Sequence, residues 1–183
     1  MKYLTNSAIA SIAKEFGLAF AKVKSIVVVE SGSQAYDEET GKILIQFEPA
    51  WFKRQSPYTP SGAWSLNKVE KQAAEWKAFN DAFAKNPDAA MESTSIGLMQ
   101  VLGLHWRRLG FKSVGAMWDY AKESAENQLR LGLMFIRLNK SMFQALVDGN
   151  WAKFAYFYNG EKYVLFNYDN RLAAQFEKWK TYM

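Results

Sequence analysis

Apolar side chains recur at helical spacing along most of this chain, and no other feature constrains its fold as much. Residues three, four and seven apart share one face of an α-helix, so each such run must bury its stripe against a neighbour. Ile9, Ile12 and Ala13 form one stripe, which Gly17 is placed to end; Phe20, Val23 and Val27 form the next, closed by Gly32. The spacing predicts helices over about 6–16, 20–31, 98–109, 114–121, 124–138, 143–148, 151–157 and 170–182. Asn67 with Glu70 resembles a capping box, opening a further helix that carries Val69, Ala73, Trp76 and Phe83 up to Asn86-Pro87. Segments 34–36 and 43–47 flank a polar stretch at 37–41 and read as a small hairpin. The expected class is mainly α, an α+β chain with a small β element.

With 183 residues, 49% of them hydrophobic and 16% aromatic, the chain can fill one sizeable core, and a single domain over 1–183 is expected. Most Trp and Phe residues at helical spacing are core. The longest purely apolar run is 26–29, far short of a membrane span, and residues 1–7 lack the apolar stretch of a secretion signal. The expectation is a monomer made soluble in the cytoplasm, without membrane insertion. There is no cysteine, and His105 is the one histidine, which excludes disulfides, thiolate sites and multi-histidine zinc sites; no metal or cofactor is expected. A net charge of +5 favours anionic partners. Nucleic acid and bacterial envelope polymers both fit that charge, but the cations are spread rather than clustered, and nucleic acid is not expected as a partner.

The reactive inventory thus reduces to carboxylates, hydroxyls and lysines. Glu70, Glu75, Asp81, Glu123, Glu126 and Glu177 sit among polar neighbours or on polar helix faces and read as solvated charges. Glu30 differs. It follows Ile26-Val27-Val28-Val29 on the stripe of Phe20, Val23 and Val27, in a last helical turn where desolvation and the helix dipole both disfavour its charged form. A carboxyl kept protonated near neutral pH can act as the general acid of glycan cleavage; it can equally be a buried, hydrogen-bonded structural glutamate. Glu48, which ends an apolar strand before Pro49, is the candidate second carboxylate. It either orients a water and steadies positive charge on a sugar, or caps the short helix starting at Pro49. Ser95-Ile96-Gly97-Leu98-Met99-Gln100 sets a glycine against an expected helix start, followed by an amide able to bind a sugar. Tyr158-Asn159-Gly160 pairs an aromatic with an amide, as a carbohydrate groove would, or simply ends a helix.

Glu30-Ser31, Gly97-Leu98-Met99-Gln100 and Tyr158-Asn159-Gly160, in this order, resemble the signature segments of goose-type lysozymes and soluble lytic transglycosylases. The fuller pattern of Val29-Glu30-Ser31-Gly32, Ile45-Gln46-Phe47-Glu48, Ser93 through Gly103 and Asn150-Trp151-Ala152-Lys153-Phe154-Ala155 is similar to the N-acetylmuramidase family of phage endolysins, over nearly the whole chain. The resemblance implies a lysozyme-like helical domain with a small β-hairpin beside the cleft. It implies Glu30 as catalytic acid and Gln100, Tyr158 and Asn159 as groove-lining residues; Ser31 and Ser95, within the same segments, are further candidates for binding substrate. The chain departs from the pattern at Phe47-Glu48-Pro49-Ala50, where the family commonly has Phe-Glu-Arg-His, and at Ile96, where an aromatic often stands. Many relatives carry a separate wall-binding module ahead of this domain, so affinity is expected to come from the cleft and the basic surface. The implied reaction is hydrolysis of the β-1,4 bond between N-acetylmuramic acid and N-acetylglucosamine in peptidoglycan, after release through a holin. Carboxyls about 6.5–9.5 Å apart would invert and about 5–5.5 Å apart would retain configuration. The alternatives are a lytic transglycosylase, leaving 1,6-anhydro ends, and a non-catalytic glycan-binding protein.

Overall fold

A computed structural model describes residues 4–57 and 71–182. Helices α1 (Asn6–Glu15) and α2 (Phe20–Ser31) lead into strand β1 (Ile45–Phe47) and helices α3 (Pro49–Gln55), α4 (Gln72–Phe83) and α5 (Pro87–Glu92). Strands β2 (Thr94–Ile96) and β3 (Val101–Leu102) run into a 3-10 turn at Gly103–His105. Helices α6 (Val114–Glu123), α7 (Ala125–Leu138), α8 (Lys140–Asp148) and α9 (Trp151–Asn159) follow, then a 3-10 helix at Glu161–Phe166 and α10 (Tyr168–Trp179). The expected helices at 6–16, 20–31, 114–121, 124–138, 143–148, 151–157 and 170–182 are all present within a few residues. The expected capping box at Asn67 and Glu70, with Val69, lies outside the described residues.

Local chemistry accounts for most boundaries. Thr5, Asn86, Ser113, Ser124, Asn139 and Asn150 each accept a backbone N–H in the first turn of a helix, satisfying donors that would otherwise lack partners. Asn86 and Pro87 do more than stop α4, because they start α5.

Two expectations are corrected. The segment 98–109 is no helix, since Gly97, at φ 71°, turns the chain and Val101 pairs back on Ile96, giving a β2–β3 hairpin closed by the loop 97–100. Tertiary pairing overrides the local helical spacing here. The expected hairpin around 37–41 shrinks to one bridge, Tyr36 to Ile43, while β1 pairs antiparallel with β2, Ile45 facing Ile96 and Phe47 facing Thr94. The sheet order is β1-β2-β3.

Helix α2 lies at the centre of the helical part. Its Val23, Ile26 and Val27 are fully buried, and α10 packs along it through Leu172. The outer edge of β1 is closed by side chains of α4. Gln72 accepts from the Ile45 N–H at 3.0 Å and donates to the Ile45 carbonyl at 2.9 Å, Glu75 accepts from the Phe47 N–H at 2.8 Å, and Trp76 donates to the Ile43 carbonyl. These bonds satisfy backbone groups that an edge strand leaves open.

Candidate active site

Glu30 stands in the last turn of α2, which Gly32 ends in the left-handed conformation at φ 59°. The stripe that buries Phe20, Val23 and Val27 carries Glu30 inward with it. Among the described residues its Oε1 is enclosed without a hydrogen-bond partner. Burial pushes its carboxyl up to about 8, against a smaller opposing pull from the positive charge of Arg171. The unpaired carbonyls at the helix C-terminus act in the same direction as burial. Near neutral pH this group therefore holds a proton, and its Oε1 has no hydrogen-bond partner among the described residues.

Two cavities meet at Glu30. One, of about 340 Å³, opens toward the sheet and is lined by Glu30, Ser31, Gln46, Gln72, Glu75 and Gln100 among others. The other, of about 400 Å³, lies toward α9 and α10 and includes Glu30, Asn159, Lys162, Tyr163, Phe166 and Arg171. Cavities of this size suit one or two sugar rings each.

The hairpin tip is fixed beside Glu30 from three sides. The Gly97 N–H donates to the Leu44 carbonyl at 2.7 Å, the Leu98 N–H to Gln128 Oε1 at 2.8 Å, and the Tyr158 hydroxyl to the Met99 carbonyl at 2.9 Å. Leu98 and Met99 are buried, and Gln100 Nε2 folds back onto the Gly97 carbonyl at 2.8 Å. A Cβ on Gly97 would come within 2.7 Å of Gln128 Oε1. The glycine thus serves a close approach inside a hairpin, not a helix start.

The candidate residues are only partly gathered. Ser31 and Gln100 line the sheet-side cavity, and Asn159 lines the other. Ser95 is half-buried within β2 and lines neither cavity. Tyr158 also lines neither; its ring stacks on Phe154 at 5.4 Å and its hydroxyl is engaged with the hairpin. Burial, with a smaller contribution from the Glu30 charge, raises the Tyr158 phenol well above its ordinary value.

Glu48 is likewise outside the residues that line the two cavities. Gln46 donates to it at 3.2 Å, burial raises its carboxyl, and its side chain makes no capping bond to α3. Among the described residues the carboxylate that shares a cavity with Glu30 is Glu75, which is only 5% exposed rather than the solvated charge expected from its polar neighbours. Burial and the nearby Glu48 charge raise it, while the Phe47 N–H holds it down. Its signal was present in the sequence. Gln72, Glu75, Phe79 and Ala82 repeat the 0, 3, 7, 10 spacing that singled out Glu30. Among the described residues no group of three or more His, Asp or Glu side chains could hold a metal ion.

The N-acetylmuramidase family model matches residues 19–180. The crystal structure of Burkholderia AP3 phage endolysin superposes with a TM-score of 0.88 at 29% identity, over 98% of this chain and 72% of that one. No curated protein matches the chain at a significant level. Nearly the whole chain, the glutamate-bearing α2 and the hairpin beside it included, falls within the family match, and the chain belongs to the N-acetylmuramidase family, glycoside hydrolases that cut peptidoglycan.

Proposed function

We propose that Glu30 is the general acid of this muramidase and that the glycan strand lies across the two cavities with its scissile bond at their junction. The observation that carries this reading is the enclosed, partnerless Oε1 of a carboxyl raised to about 8. A proton held there passes to the glycosidic oxygen, the bond from that oxygen to the muramic C1 breaks, and positive charge develops on the muramic ring. Water then adds to C1, and its proton leaves to a base.

Glu75 is proposed as that base, in place of Glu48. It lines the cavity with Glu30; burial raises its carboxyl overall, as suits a base working near neutral pH, and the hydrogen bond from the Phe47 N–H opposes part of that rise. Gln46 and Gln100, whose Nε2 groups bond within the protein, offer their amide oxygens to sugar hydroxyl and acetamido donors along the same wall, while Gln72 is committed to the edge of β1. Ser31 and Asn159 extend these polar contacts to either side of the acid.

Among the described residues no helix is long and apolar enough to cross a membrane. For a phage lysis enzyme of this kind, we propose that access to the wall comes through a holin-made lesion.

Mass spectrometry of digested sacculi tests the reaction. Reducing muramic ends are expected from the wild-type protein, and Glu30→Gln should cut at least ~100-fold more slowly, the usual loss when a general acid is removed. Anhydro-muramic ends would overturn the hydrolytic reading, and full activity in Glu30→Gln would overturn the site.

A further inference from the structure

The two cavities beside Glu30 differ in charge. The sheet-side wall is built from neutral amides and Glu75, whereas the α9–α10 side carries two cations, Lys162 and Arg171, and no carboxylate apart from Glu30. Glu30 is protonated near neutral pH and does not balance them.

Some cations elsewhere among the described residues are held in ion pairs, as Arg130 is with Glu15, Lys77 with Asp81 and Lys122 with Asp119. Arg171 instead donates one Nη2 hydrogen to the Val29 carbonyl at 3.2 Å, which anchors the guanidinium at the end of α2 and leaves its other donors for a ligand. The side chain of Lys162, at the start of the 3-10 helix, makes no hydrogen bond or ion pair with any other described side chain. The cavity wall beside these cations also presents an open apolar ring, Phe166, which is 67% exposed. That surface suits the C–H face of a sugar ring.

A peptidoglycan strand differs from a chitin-type strand of N-acetylglucosamine in one respect that this chemistry can read. Each muramic residue bears a 3-O-lactyl group that ends in a carboxylate or carries a peptide with carboxylates of its own. We infer that Lys162 and Arg171 form an anion subsite for the carboxylates borne by the muramic 3-O-substituent, which lets the enzyme tell wall strands from neutral glycans. Arg171 supplies planar donors from a fixed position, and Lys162 supplies a mobile point charge that adapts to the substituent. The inference rests on the assignment of Glu30 and its two flanking cavities to the glycan strand.

The test compares wild type with Lys162→Gln on three preparations: strands bearing peptides, strands stripped to the free lactyl group, and strands whose carboxylates have been amidated. KM of the variant is expected to rise about two- to fivefold on carboxylate-bearing strands, the loss of one solvent-exposed charge pair, with kcat changed less than about twofold. On amidated strands the two proteins should converge. A rise on peptide-bearing strands alone assigns the subsite to stem carboxylates, and a rise on both charged preparations extends it to the lactyl group. An unchanged KM, or an equal rise on amidated strands, overturns the inference. Binding of the same preparations to Glu30→Gln keeps the two ideas separable. If wild type cuts nothing, the catalytic reading fails, while preference of Glu30→Gln for charged over amidated strands still decides the subsite.

Discussion

At the scale of single residues, the proposed chemistry turns on carboxyls that burial holds away from their ordinary range. Glu30 binds its proton more tightly in the folded chain than in the unfolded one, so its contribution to stability is present below about 4.5 and is lost as pH rises toward about 8. Melting curves of wild type and Glu30→Gln should coincide near about pH 4 and separate by about pH 8, the variant being more stable there by ~1–3 kcal/mol. Cutting by the wild type should fall as pH rises through about 8, where the acid loses its proton. Coincident melting at both ends would show that Glu30 is not raised. Glu75→Gln keeps an oxygen to accept the Phe47 N–H, so the edge of β1 stays closed while the base is lost. Its kcat should drop by ~100-fold or more, and Glu48→Gln should lose much less. The reverse order would return the second role to Glu48.

At the scale of elements, the site depends on α2, α4 and the β2–β3 hairpin being held in fixed relation. Helix α4 closes the open edge of β1 with side chains, and Tyr158 of α9 ties down the hairpin tip through the Met99 carbonyl. Tyr158→Phe keeps the stacked ring and leaves that carbonyl short of a donor, so chemical denaturation should reveal a loss of ~1–2 kcal/mol. KM for glycan strands should stay close to wild type, because the hydroxyl is committed to the hairpin. A large rise in KM with unchanged stability would instead make Tyr158 a sugar-binding residue. The helices themselves were legible in the sequence because their stripes and side-chain caps are local. The hairpin was not, since the stretch from Leu98 to Leu109 has helical spacing and only contact with β1, Gln128 and Tyr158 selects the turn.

At the scale of the whole molecule, a net charge of +5 draws the enzyme toward an anionic wall. The screening length falls from about 30 Å at 0.01 M salt to about 8 Å at 0.15 M. Turnover on intact sacculi at limiting substrate should therefore drop several-fold over that range, while kcat at saturation changes little. A rate independent of salt would confine the electrostatic contribution to the cleft itself.

The sequence by itself determined the helical architecture and the place of Glu30, because helical period, capping residues and the burial of one glutamate on an apolar stripe are properties of contiguous residues. Tertiary structure alone decided the rest. Glu75 lines a cavity with Glu30 because α4 lies against the edge of β1, and Lys162 and Arg171 line another because the 3-10 helix packs on α10, which packs on α2. Those meetings bring together residues from distant parts of the chain, and no local spacing encodes which distant partner a side chain will face.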